Sequence, residues 1–326
     1  MSRTKVTAGI DVGGTHTKIG FADSEGNIYS ERVLMTCEYP LFDDYVKAVS
    51  STIEQMSNTI ASIELAGIGI GIPNGNYHKG NVEFAANLPW KGSLEFVSKL
   101  QPYFPNIPIA LTNDANAAAI GEMIYGGAKG MKNFIVVTLG TGLGSGFIAN
   151  GEMIYGHDSF AGELGHVIVE KDGRNCNCGR KGCLETYVSA TGIRRTMAEL
   201  MANCTEDSVF RNKEYNKIES KDIAKAAEEG DKLAIKAFEV TGERLGLALA
   251  NAVAITSPEA IFLFGGLAKA GKLILEPAKK AMEENMLKFW KEKIKLQLSG
   301  LQDKDVAVLG ACALAWEAAN KQPDKV

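Results

Sequence analysis

The segment from Glu163 to Glu185, ELGHVIVEKDGRNCNCGRKGCLE, gathers the side chains of this chain best suited to chemistry. His166, Cys176, Cys178 and Cys183 are soft or borderline ligands at close spacing, and the glycines between them permit tight turns. That combination fits a closed tetrahedral zinc site. Four protein ligands leave no open position for a reactive water, so the zinc is expected to be structural and to hold Glu163 and Glu185 in place. The competing reading, free thiols or half-cystines, fits less well: nothing here reads as an export signal, and a histidine joins the cysteines at ligand spacing. Cys37 and Cys312 lie far from this cluster in sequence and read as ordinary buried residues.

Other candidates are scattered. Asp11 ends an apolar run at a Gly-rich turn, a position suited either to holding magnesium through water or simply to forming the turn. Lys18, on the returning strand, can reach a phosphate or sit in solvent. Asn113 and Asp114 precede an alanine-rich helix, where either can cap the first free amides. A carboxylate at such a strand end is equally well placed as general base for a substrate hydroxyl, and the helix N-terminus would favour its ionised form. Asn87, Glu163 and Glu185 offer acceptors for the several hydroxyls of a sugar. The outer nitrogen of a zinc-bound His166 could join them.

These residues need a frame. Val6 to Asn27 and Phe134 to Glu152 share one pattern: an apolar strand, a turn rich in Gly and Thr, a second strand ending Gly-Phe, and a polar hairpin turn. A duplication follows naturally, matching Gly13-Gly14-Thr15 with Gly140-Thr141-Gly142. Turns with so little side-chain bulk expose backbone amides and can approach phosphate oxygens closely. Between and after the hairpins, strands are expected at Leu65 to Ile72, Pro108 to Thr112 and Ala260 to Phe264, the last running into Gly265-Gly266. Helices are expected at 43 to 62, at Ala115 to Ile124, through most of 189 to 251 with its least regular part near Cys204 to Lys217, and at Val308 to Ala319. Asn74 to Gly80 reads as a polar loop, a candidate rim for closure over a ligand. Alternation of this kind predicts an α/β fold.

Composition bounds the partners. The chain has 326 residues, 45% hydrophobic and 23% charged, enough for two domains with ample cores. A net charge of −4 leaves no basic excess of the kind that nucleic acid or an anionic membrane requires. No apolar run approaches the ~18 residues of a membrane span, and Asp11 interrupts the first apolar stretch too early for a signal peptide. The expected location is the cytoplasm.

Together the motifs IDVGGTHTK, NDANAAAIGE, LGTGLGSG, GELGH and CNCGRKGCLE resemble the ROK family of sugar kinases and sugar-responsive repressors, from Gly9 to about Ala319. The resemblance implies an actin-like ATPase (ribonuclease H-like) fold with two domains around a central cleft. The expected division is 1–116 plus 309–326 for a small domain and 117–308 for a large one carrying the zinc. It further implies ATP-dependent phosphorylation of a hexose, usually at the 6-hydroxyl, with Asp114 as catalytic base. Asn87, Asn113, Glu163, His166 and Glu185 would contact the sugar. ATP and Mg2+ would lie on Asp11, Gly13, Gly14, Thr15, Lys18, Gly140, Thr141, Gly142, Gly265 and Gly266. The zinc ligands match residue by residue, and CxCGxxGC resembles the glucokinase and N-acetylhexosamine kinase type. Glucose is therefore the first expectation, with N-acetylglucosamine, N-acetylmannosamine, mannose and allose as alternatives. Asn-Gly-Asn-Tyr-His at 74 to 78 departs from the Gly-rich acidic stretch many members carry there. Family members are commonly dimers or tetramers. A repressor would carry a helix-turn-helix ahead of the first strand, which here begins within a few residues of Met1. A non-catalytic actin-like ATPase would explain the phosphate turns but not the carboxylates around a zinc site.

Overall fold

The computed structural model describes residues 3–60, 62–85, 87–301 and 305–321. The chain forms two compact units: Met1–Gly130 with Met153–Ala161 and Gly300–Val326, and Met131–Glu152 with Gly162–Ser299. The boundaries expected from sequence, after 116 and 308, fall inside the helices Asp114–Tyr125 and Val306–Lys321. A helix buried along its length on one core is not divided, so each of these goes whole with the first unit. The expected C-terminal stretch from 322 onward lies outside the described residues, as do 302–304.

In the first unit, β1 (Thr4–Val12), β2 (His16–Ala22), β3 (Ile28–Met35) and β4 (Ile63–Gly71) are followed by the short strands β5 (Gly75–Asn76), β6 (Asn81–Glu83) and β7 (Ser93–Leu94). β8 (Ile109–Thr112) then completes a five-stranded sheet in the order β3-β2-β1-β4-β8. The hairpin β1–β2 is antiparallel, while β4 lies parallel to β1 and β8 parallel to β4. Helix α1 (Phe42–Thr59) provides the crossover from β3 to β4. Its Tyr45, Val46, Val49, Ile53 and Met56 recur at helical spacing and are buried.

The C-terminal helix Val306–Lys321 packs on β1 and β4, and the residue types explain how it fits. A Cβ on Gly69 would lie 1.9 Å from the Ala311 carbonyl oxygen, and one on Gly9 would lie 2.2 Å from that of Val308. Glycines in the strands and small residues in the helix thus let backbone approach backbone. The short helix α2 (Phe96–Leu100) packs with α1, while helix α3 (Asp114–Tyr125) packs beside the C-terminal helix.

The second unit repeats the plan. Strands β9 (Phe134–Leu139), β10 (Leu143–Ala149), β11 (Glu152–Met153), β12 (Ala260–Phe264) and β13 (Lys295–Leu298) give the order β11-β10-β9-β12-β13. Again a hairpin, β9–β10, is antiparallel and the two later strands are parallel to its first member and to each other. The shared strand order supports the duplication inferred from the two hairpin sequences. Helices α4 (Ala190–Asn203), α5 (Ser220–Glu228), α6 (Lys232–Thr256) and α7 (Lys272–Asn285) cluster together, the other three packing on α6 and α7 also against β13. Residues 204–219 are largely irregular, in agreement with the break expected near Cys204 to Lys217.

Two expectations are corrected. Cys312 is buried as anticipated, but Cys37 is exposed, because it falls in a short surface turn after β3. The loop at 74–80 is not an open rim. Asn76 is fully buried and donates to Glu83 Oε1 and the Asp158 carbonyl, at 3.2 and 3.0 Å. Tyr77 stacks on Tyr155 with ring centroids 3.9 Å apart. The loop is a seat for the segment 153–161.

Candidate active site

Each unit carries part of the residue set. In the first, Asp11 lies near the end of β1 opposite Lys18 in the β1–β2 ladder. The turn between them is tight, with Gly13 N donating to the His16 carbonyl at 2.9 Å. A Cβ on Gly14 would sit 2.1 Å from the Asn87 carbonyl oxygen, so the turn requires glycine to let the Asn87 backbone rest on it. Asn87 itself is exposed, but Leu88 and Trp90 beyond it are buried. Trp90 packs against Phe42 and Tyr45 at centroid distances of 5.1 and 4.5 Å, and its Nε1 donates to the Tyr39 carbonyl at 2.9 Å. Aromatic contacts of this kind are worth about 0.5–1.5 kcal/mol each, enough to fix the segment that presents Asn87.

Asn113 and Asp114 stand together at the start of α3. Asn113 is the N-cap of α3, its side-chain oxygen accepting from Ala115 N at 2.8 Å. Asp114 is the first helical residue, and its Oδ1 also accepts from Ala115 N, at 2.8 Å. Asn113 thus holds the N-cap position and Asp114 begins the helix, the two side chains sharing one N–H. Asp114 touches solvent, yet protein crowds it on its other sides, and this loss of hydration raises its pKa against the helix-terminal hydrogen bonds that lower it.

Asp11 is pushed up from 3.8 to about 7, first by burial and then by the negative charges of Asp114 and Asp305, with Lys18 opposing. Three carboxylates thus face one ammonium, and that ammonium is engaged: Lys18 Nζ donates to Asp305 Oδ2 at 2.8 Å. Such an excess of negative charge fits a divalent cation, which would offset the repulsion that adds to burial in raising Asp11. Sequence reasoning missed Asp305. Its only signal was a charged stretch before the last helix, and its partner lies 287 positions away.

In the second unit the turn Gly140-Thr141-Gly142 is closed by Gly140 N donating to the Gly142 carbonyl at 3.0 Å. Gly265, at φ +103°, sits against the end of β9, where a Cβ would lie 2.6 Å from the Leu139 carbonyl oxygen. The two Gly-rich elements therefore meet at one strand end. Gly266, with open space around it, leaves room for a ligand there. The start of α4 joins them, Ala190 N donating to the Gly140 carbonyl and Thr191 Oγ1 to that of Thr141, at 2.8 and 3.0 Å. Thr191 escaped the sequence reading because Ser189, Ala190 and Thr191 look like an ordinary helix cap.

The four predicted zinc ligands come together. One ligand atom from each of His166, Cys176, Cys178 and Cys183 lies within 4.8 Å of all the others. Cys178 Sγ and Cys183 Sγ are 3.6 Å apart, and Cys176 Sγ is 3.8 Å from His166 Nδ1. Tetrahedral bonds of ~2.3 Å to sulfur and ~2.0 Å to nitrogen place sulfurs about 3.8 Å apart and sulfur about 3.6 Å from nitrogen. The donor set fits zinc, with Nδ1 as the histidine ligand. Burial opposes ionisation of Cys178, but hydrogen bonds from the Arg180 backbone and side chain, then from Cys176 and Cys183, bring it down to about 6. Cys183 is pushed up to about 12 by burial and its neighbouring thiols. A bound dication would supply the charge that favours the thiolate form of all three cysteines.

The surrounding turns hold this cluster. Gly182, at φ +74°, is pressed onto the Glu170 carbonyl, where a Cβ would lie 1.7 Å from the oxygen. Arg174 clamps the loop, binding both carboxylate oxygens of Glu199 at 2.8 and 2.6 Å and stacking 4.4 Å from the Tyr187 ring centroid. Glu185 links the His/Cys cluster to the turn at 140–142: its Oε1 lies 3.8 Å from Cys176 Sγ, and its Oε2 accepts from Leu143 N at 3.0 Å. A Cβ on Gly142 would come within 2.3 Å of that Oε2. Glu163 is exposed at the start of the turn Leu164–His166, which Ser145 ties to β10 by accepting from Leu164 N at 3.2 Å and donating to the Gly162 carbonyl.

Comparison with known proteins agrees with this geometry. The ROK family model matches residues 7–318. A glucokinase of Halalkalibacterium halodurans is 34% identical over 290 residues, 84% of this chain and 84% of its own length. A glucokinase of Thermotoga maritima is 30% identical over 311 residues, covering 95% and 96%. Among solved structures, a ROK family glucokinase from Streptomyces griseus in complex with glucose and AMPPNP matches at a TM-score of 0.78 and 30% identity, over 96% of this chain and 99% of that one. The two mixed five-stranded sheets are those of the actin-like ATPase fold. Among the described residues, no helix is long and apolar enough to cross a membrane.

Proposed function

Since the chain belongs to the ROK family, we propose that it is an ATP-dependent hexose kinase acting on the 6-hydroxyl of glucose, with Asp114 as general base. The observation that carries this reading is the placement of Asp114 at the start of α3, close enough to the buried carboxyl of Asp11 for the two negative charges to repel. The resemblance to glucokinases in sequence, and to a structure holding glucose and AMPPNP, supports the choice of substrates.

Phosphoryl transfer asks little covalent chemistry of the protein beyond placement and charge stabilisation. In this reading the sugar oxygen bonds to the γ-phosphorus, the bond from that phosphorus to the β,γ-bridging oxygen breaks, and the hydroxyl proton passes to Asp114. A raised pKa suits this step, since it makes the carboxylate a better acceptor for the proton as it leaves. Asn87, Asn113, Glu163, His166 and Glu185 receive the remaining hydroxyls, His166 through its Nε2. The turns at 13–15 and 140–142, with Gly265 and Gly266, take the nucleotide and its phosphates. Lys18, engaged by Asp305, contributes charge rather than direct contact. Bound Mg2+, held by Asp11 through water, would neutralise phosphate charge as the leaving group departs. Zinc on His166, Cys176, Cys178 and Cys183 would fix the segment carrying Glu163 and Glu185.

The test is ADP release by zinc-loaded protein with Mg2+ and ATP against glucose, mannose, allose, fructose, N-acetylglucosamine and N-acetylmannosamine. The expected result is turnover greatest with glucose and reduced about 10²–10⁴-fold in Asp114→Asn. A preference for an N-acetylhexosamine would correct the substrate alone. No sugar-stimulated release from folded protein would defeat the kinase reading.

A further inference from the structure

Phe84 is held in a conformation that its own chemistry disfavours. Its φ is +52°, in the left-handed region where a bulky side chain is strained, and the residue is 74% exposed. Neither strain nor exposure comes from looseness. Phe84 N donates to the Gly92 carbonyl at 3.1 Å, and Glu83 N donates to the Asn74 carbonyl at 3.1 Å. Asn74, itself at φ +56°, returns its side-chain Nδ2 to the Glu83 carbonyl at 3.0 Å and the Phe84 carbonyl at 3.4 Å. The structure therefore fixes an aromatic ring outside the core.

The position of that ring gives it a use. Phe84 stands three residues before Asn87, whose carbonyl rests on Gly14. Leu88 and Trp90 anchor the same segment from the other side in the core. Polar groups alone read a sugar's hydroxyls, but a pyranose also presents a face of C–H bonds that is desolvated on binding. An exposed ring on a fixed backbone is suited to that face. We infer that Phe84 is a sugar-binding residue of this protein, packing against the apolar face of the hexose ring and so tuning which hexoses bind. This rests on the hexose kinase reading above.

The experiment measures kcat and KM, for glucose and for ATP, in the wild type and in Phe84→Ala, Phe84→Gly and Phe84→Trp, with melting temperature recorded for each. The glycine variant separates ring from strain, because glycine adopts positive φ freely and should melt no lower than the alanine variant. Loss of the ring should raise the glucose KM about tenfold in both small variants, with the ATP KM and kcat moving far less, and tryptophan should restore most of it. A glucose KM within twofold of wild type in both small variants would overturn the inference while leaving the kinase reading intact. Equal loss of glucose and ATP affinity, or a fall in kcat alone, would also overturn it, since that is how a merely structural residue behaves. Wild-type protein that turns over no hexose would remove both readings together.

Discussion

Replacing Asp11 by asparagine should stabilise the metal-free protein, and the gain should depend on pH in a calculable way. Its carboxyl is raised from 3.8 to about 7 in the fold. Between these values the folded state binds more protons than the unfolded state, so stability falls as pH rises and the full penalty is present above about 7. A rise of this size corresponds to roughly 4 kcal/mol, about a third of which has accrued at pH 5 and nearly all by pH 8. Water entry and relaxation of the site should reduce the observed effect to about half, or roughly 2 kcal/mol, a melting shift of about 5 °C in a protein of this size. Asparagine keeps the shape and removes the charge, which also relieves Asp114. Scanning fluorimetry of zinc-loaded, magnesium-free protein from pH 5 to 8 tests this. The gap in melting temperature should widen two- to threefold over that range, and added Mg2+ should close it by stabilising the wild type alone. A gap equal at both ends of the range, or a variant less stable throughout, would refute the assignment of Asp11 to a strained, cation-seeking site.

Three further outcomes follow from the packing. Cys183→Ser should cost the protein its zinc, seen by metal analysis as a fall from one equivalent to well below it, and should expose the segment 163–185 to proteolysis. Gly142→Ala must displace the Glu185 carboxylate, which a Cβ would approach to 2.3 Å, so hexose turnover should fall at least tenfold while far-UV circular dichroism is unchanged. Gly69→Ala, with a Cβ 1.9 Å from the Ala311 carbonyl oxygen, should destabilise the first unit by about 3 kcal/mol or more and reduce soluble yield, whereas Gly130→Ala, with open space around it but φ +83°, should cost only about 1 kcal/mol by chemical denaturation.

The sequence by itself determined the local features whose signals are short-range. The paired hairpins, the strand Ala260–Phe264, the helix after Asn113 and the clustering of His166 with Cys176, Cys178 and Cys183 were all legible, because apolar periodicity, Gly-rich turns and ligand spacing act within a few residues. The tertiary structure decided matters that depend on distant partners. It put Asn113 at the N-cap and Asp114 in the first turn of the helix, and it brought Asp305 to Lys18 from the far end of the chain. It turned the loop at 74–80 from an apparent rim into a seat for Tyr155. Phe84 shows the same limit most clearly. Nothing in the sequence marks it, and only backbone geometry reveals that it is strained and held in water. The physical reason is common to all of these. Propensity and pattern fix what a residue prefers, whereas electrostatic pairing, burial and strain depend on what the folded chain brings beside it.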